Sequence, residues 1–145
     1  MRTLYAIVIV FLLVSWHGRS YGQAYKLDSV RVEFEGFGTE TPFDISCDDF
    51  SRSFKKTKKI KAFYNKDDLS QFELLKKDLK PTTEQSMDIR GQIIYSYGQS
   101  ANKYCFTVFG CFYTDGKQYY NKQLLMFISD KMYGDHPKYL DTLRQ

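Results

Sequence analysis

Residues 87–120 read MDIRGQIIYSYGQSANKYCFTVFGCFYTDGKQYY, and this stretch decides the fold class. Met87 to Tyr97 places Ile89, Ile93 and Tyr95 on one side, the pattern of a strand with one buried face. Gly98 to Asn102 is polar and supplies a hairpin loop. Lys103 to Tyr113 is apolar on both sides, which predicts a central strand. Asp115-Gly116 is a strong tight-turn signal, and Gln118 to Tyr120 returns as a short strand. Long strands joined by tight turns pair antiparallel.

Working outward, Ser29 to Glu35 (SVRVEFE) alternates strictly. Val30, Val32 and Phe34 face one way and Arg31, Glu33 and Glu35 the other, so this is a half-buried strand. Gly36 and Gly38 end it. Thr41-Pro42 opens a turn, after which Phe43 to Ile45 resumes briefly. Ser46 caps a short helix, with Asp49 as the returning partner, and Phe50 and Phe54 share a helix face. Lys58 to Tyr64 reads as a short strand. Asn65 or Asp67 caps a longer helix to about Lys80. Leu69, Phe72, Leu75 and Leu79 form its apolar stripe, and Pro81 stops it. Asn121 caps a last helix carrying Leu124, Leu125, Phe127 and Ile128, which ends near Gly134. Pro137 begins a final helical turn bearing Leu140 and Leu143.

These elements predict an α+β fold: a mainly antiparallel sheet of about four to six strands with two or three helices packed on one face. The helices around Phe72 and Phe127 are the expected cover. A chain of 145 residues with 43% hydrophobic residues supports one domain with a modest core. Residues 23–145 are expected to form it.

Residues 1–22 carry the pattern of a secretory signal peptide. Arg2 supplies positive charge, Ala6 to Val14 (AIVIVFLLV) is an unbroken apolar run, and small residues follow at Ser15, Gly18, Ser20, Gly22 and Ala24. As a helix that run rises only about 14 Å, against a hydrocarbon core of roughly 30 Å, so no stable membrane span is expected in the mature chain. Cleavage after Gly22 or after Ala24 satisfies the small-x-small rule, and the first starts the mature chain at Gln23. Losing Arg2 and Arg19 brings the formal charge of +4 nearer to neutrality. Export and a small net charge together argue against nucleic acid as a partner.

The cysteines are Cys47, Cys105 and Cys111. If Lys103 to Tyr113 is one extended strand, Cys105 and Cys111 stand roughly 20 Å apart, beyond disulfide reach. Cys47 is then left to pair with Cys105 or Cys111, or all three thiols stay free. Sparse cysteine and the absence of an Asn-x-Ser/Thr sequon favour a bacterial periplasm or secretion.

Chemistry-bearing patterns are few. His136 is the only histidine beyond the leader, which excludes sites needing two. No Gly-rich phosphate loop appears, and no cofactor is expected. Asp44, Asp48 and Asp49 lack the glycine of a calcium loop, and no metal site is expected. Cys47 at a helix start is the one candidate nucleophile, with His136 as base; its neighbours Asp48 and Asp49 oppose thiolate formation. Arg52, Lys55, Lys56, Lys58, Lys59 and Lys61 crowd into residues 52–61, suited either to an anionic partner or to guarding an edge strand. Tyrosines are dense in the C-terminal strands, and Tyr95, Tyr97, Tyr104 and Tyr113 would form a platform on an exposed sheet face. The expected function is therefore non-catalytic: a small exported domain binding an envelope or secreted protein through these tyrosines or through Lys55, Lys56, Lys58 and Lys59, as an inhibitor or immunity-like protein does. The alternatives are a module for a small ligand or glycan, and a cysteine-dependent enzyme using Cys47.

Overall fold

The computed structural model describes residues 26–83 and 88–142. The expected signal peptide, its cleavage site and Leu143 lie outside the described residues.

The chain is α+β, with a seven-stranded antiparallel sheet and four helices among the described residues. The strands are β1 (Ser29–Phe34), β2 (Lys59–Phe63), β3 (Lys80–Pro81), β4 (Ile89–Tyr97), β5 (Ser100–Thr107), β6 (Cys111–Thr114) and β7 (Lys117–Tyr120). The helices are α1 (Phe50–Ser53), α2 (Lys66–Lys77), α3 (Lys122–Tyr133) and α4 (Tyr139–Thr142). The sheet order is β2-β1-β4-β5-β6-β7-β3. The strand count exceeds the expected four to six for local reasons. Gly110 takes φ 88° and folds the expected central strand back on itself, so Lys103 to Tyr113 is split between β5 and β6. Lys80–Pro81, expected to end a helix, instead pairs with Tyr119 and Tyr120 at the sheet edge, an edge position being where proline is tolerated. Conversely, Phe43 to Ile45 forms no strand. The hairpin loop after β4 is shorter than expected, because pairing continues to Tyr97↔Ser100.

Local chemistry sets three of the helix ends as expected. Asn65 Oδ1 accepts from Asp68 N at 2.8 Å and Asn121 Oδ1 from Leu124 N at 2.9 Å, satisfying amides that a helix start leaves unpaired. Gly134, at φ 88°, closes α3 in the left-handed conformation. Ser46 does not cap α1 as expected, because the N-cap position is Asp49 and carries no side-chain cap bond; Ser46 Oγ instead donates to Asp49 Oδ2 and accepts from Asp49 N in the turn before the helix.

Helices α2 and α3 cover the sheet face that carries Val30, Val32, Phe34, Ile93, Tyr95, Phe106 and Phe112. Phe72 of α2 sits at the centre, with ring centroids 5.0 Å from Phe63 and 4.8 Å from Phe127. Burying each such ring contributes about 1.5–3 kcal/mol. Gly91 has no side chain because Phe106 lies across it: a Cβ there would meet the ring at 2.1 Å.

Not all helices lie on one face. Helix α1 packs on the opposite side against β4, where Gln92 Nε2 donates to Ser51 Oγ at 3.1 Å. A second core of Ile45, Phe50, Phe54, Ile89 and Cys105 forms beneath it. Ile89 joins this core and not the one holding Ile93. The β4–β5 register shifts between Ile89 and Gly91, and one extra residue reverses the facing of whatever precedes it. The Cys47–Cys105 disulfide, with Cα atoms 5.7 Å apart, fastens this segment to β5. Cys111 is buried and outside the bridge.

Candidate functional site

The four tyrosines singled out by sequence do not share an open face. Pairings Ile93↔Tyr104 and Tyr95↔Asn102 put Tyr95, Tyr97 and Tyr104 on the face covered by α2. Tyr95 is 0% exposed, so it can touch no partner. Lys76 of α2 lies over all three rings, 5.0, 5.0 and 5.9 Å from the centroids, and donates to Tyr97 Oη at 2.9 Å. Tyr95 is thus internal, while Tyr97 and Tyr104 are half-buried beside a lysine that makes cation–π contacts with all three. Burial pushes the Tyr95 hydroxyl well above its ordinary pKa, and Tyr104 is raised by the same cause. Tyr113 pairs with Cys105 on the opposite face and packs against the second core.

The basic run divides in two. Lys58 is committed inside the protein: its side chain is 10% exposed and its Nζ donates to the buried Glu33 carboxylate. Arg31 approaches the other Glu33 oxygen at 3.0 Å. Burial raises the Glu33 pKa, but hydrogen bonds from Lys58 and Gln92 and the nearby charges outweigh it and hold the carboxyl below its usual range. Lys58 therefore drops out of any contact surface. Lys55 and Lys56 stand exposed in the turn after α1. Lys59 is exposed, with its Nζ 4.0 Å above the Tyr133 ring.

Beyond that turn the chain enters β2, the terminal strand of the sheet. All of β2 except Phe63 is exposed. The registers Val32↔Lys61 and Phe34↔Lys59 put both lysines on the α3 side; Glu33↔Ile60 and Arg31↔Ala62 put Ile60 and Ala62 on the other. That second face stays open beyond α1. Its cross-strand row is Ala62, Arg31, Ile94 and Lys103, with Ile60 59% exposed at its rim. The outward positions of β1 and β4 signalled this row in the sequence. That these two strands lie side by side did not show, because most of the chain between them belongs to other elements.

The Cys47 alternative loses its nucleophile, since Cys47 is in the disulfide with Cys105. His136 is held elsewhere, with Nδ1 2.8 Å from Asp130 and Nε2 3.1 Å from Asp141. Asp49 is taken up by Ser46 and Arg52. Aromatic and aliphatic side chains pack together between the sheet and its helices. One open cleft of about 450 Å³ runs along Leu75 to Lys80 and Tyr120 to Gln123; another, of about 370 Å³, lies beside Cys47, Lys103 and Asp115.

The chain matches no known protein family, no curated protein and no solved structure.

Proposed function

We propose that this is a non-catalytic binding domain for an exported or envelope protein, with its contact surface on β2, the Lys55–Lys56 turn and the open row Ala62, Arg31, Ile94 and Lys103. One observation carries the reading. The sheet ends in an exposed strand that continues directly into an open, mixed apolar and basic sheet face. Such an arrangement fits recognition by main-chain pairing or a flat protein contact.

No described helix is long and apolar enough to cross a membrane. One feature supports export. The Cys47–Cys105 disulfide is at home in an oxidising compartment. An inhibitor or immunity-like role is one form of this function. A glycan or small-ligand module is the second reading. It would use the cleft of about 450 Å³, whose wall joins Leu75, Leu79 and Tyr120 to Lys77, Lys80 and Lys122.

The test is site-specific photocrosslinking in the native host. A crosslinking amino acid at Lys56 or Ile94 is expected to capture one discrete protein, and the same group at Gln123 is not. Capture only from Gln123, or retention of a small molecule in native mass spectrometry, would overturn the protein-binding reading.

A further inference from the structure

We infer that the partner docks as an added strand on β2, and that the docking segment alternates carboxylates with apolar β-branched residues. This inference rests on the binding function proposed above and names the chemistry of its partner.

The edge is open in the sense that matters for strand addition. Among the described residues β2 pairs with β1 on one side only, which leaves a row of main-chain donors and acceptors facing outward. Its lysines do not lie across that row. Lys61 Nζ donates to Lys131 O at 2.8 Å, and Lys59 reaches the Tyr133 ring. Both side chains therefore fold over the α3 side and leave the strand edge reachable.

Charge decides which strand fits. Arg52, Lys55, Lys56, Lys58, Lys59 and Lys61 concentrate positive charge along this edge and its approach. The carboxylates here are Glu33, which holds Lys58, Asp49, which holds Arg52, Glu35, which accepts from Thr57, and Asp68, which pairs with Lys131 and lies within charge range of Lys61; the basic side chains still outnumber them. A second copy pairing through β2 would set lysine against lysine, which strand pairing disfavours. An acidic strand meets the opposite situation, and the lysines that keep copies apart draw it in.

The alternation of β2 then sets the pattern. An added strand continues the pleat, so its alternate residues fall on the same two faces. On the α3 side they lie beside Lys59 and Lys61, which favours Glu or Asp. On the open side they lie beside Ile60 and Ala62, which favours Val, Ile or Thr. Tyr64, 72% exposed just past the strand, offers an aromatic contact at one end.

The experiment uses the full mature chain and a fluorescent synthetic peptide of alternating Glu and Val. Two controls accompany it: a block-ordered peptide of the same composition, and an alternating Lys–Val peptide. Binding is read by anisotropy and by amide NMR. The alternating acidic peptide is expected to bind, to shift and protect amides of residues 59–63, and to weaken about tenfold when salt rises from about 50 to about 500 mM. Lys59→Glu with Lys61→Glu is expected to weaken it at least about tenfold, as opposite-charge contacts become repulsive. Lys55→Glu with Lys56→Glu, at exposed positions, gives a weaker effect in the same direction and guards against a folding defect in the first pair. Equal binding of the control peptides, or shifts away from β2, overturns strand addition. If no peptide binds while Lys56 or Ile94 still crosslinks to a protein, strand addition fails and the broader binding function stands; if both fail, both fall.

Discussion

Glu33 and Lys58 meet in a space that admits little water, with side chains 5% and 10% exposed. Removing one partner of such a pair strands the other. Lys58→Ala is expected to destabilise the fold by about 3 kcal/mol, the low end for a broken buried pair, because Arg31 and Gln92 still face the carboxylate. The double change Glu33→Gln, Lys58→Met is expected to recover most of that loss in urea unfolding. The Glu33 carboxyl titrates below its usual value of 4.5. Its contribution is therefore complete above that value and fades as pH falls through the lower folded value. Tyr95 gives the opposite case. Its hydroxyl is buried with no hydrogen-bond partner among the described residues, and leaving a polar atom so costs about 1–3 kcal/mol. Tyr95→Phe is expected to raise stability by about 1 kcal/mol; a loss measured by thermal melting would show that the hydroxyl has a partner in solution.

At the scale of elements, the segment from Ile45 to Phe54 has a small core of its own and one covalent tie. The disulfide closes a 58-residue separation, for which the chain-entropy account gives about 4 kcal/mol. Cys47→Ala with Cys105→Ala is expected to cost about that much, with α1 and β5 gaining hydrogen exchange ahead of β1 and α3. The turn between α3 and α4 is held differently. His136 bridges Asp130 and Asp141, and the hydrogen bonds to these two carboxylates raise its pKa above 6.5. A raised pKa means the bridge contributes fully below the unfolded value and is lost as pH rises through the folded value. The melting temperature is therefore expected to fall across that interval in the wild type, and less in His136→Ala. Most element boundaries were legible in the sequence because caps and turns are local devices. Asn65, Asn121, Asp115-Gly116 and Gly134 each act on the backbone within a few residues. The shift near Arg90 was not legible, since a bulge exists only relative to the partner strand.

For the whole molecule, the two-sided sheet explains why the candidate surface moved. Reading Tyr95, Tyr97 and Tyr104 as an exposed platform took tyrosine density as a sign of surface. In the fold α2 settles on that face, and Lys76 supplies the polar neighbour that half-buried hydroxyls need. The lysine run survives as a candidate only in part, because Lys58 found a buried carboxylate. Location is tested at this scale as well. Amino-terminal sequencing of protein from its native host is expected to begin at Gln23, and a start at Met1 would remove the oxidising-compartment support for the disulfide.

Hydrophobic alternation, caps and turn dipeptides by themselves determined that this chain is α+β, which stretches become most of its strands and helices, and where several of them end. Those signals act over a few residues, so they are complete in the linear chain. The tertiary structure alone decided the strand order, the choice of Cys105 over Cys111, the helix on the second face and the identity of the open edge. Each of these depends on contacts between residues far apart in the chain, and spacing along the backbone carries no information about which of several apolar faces will meet.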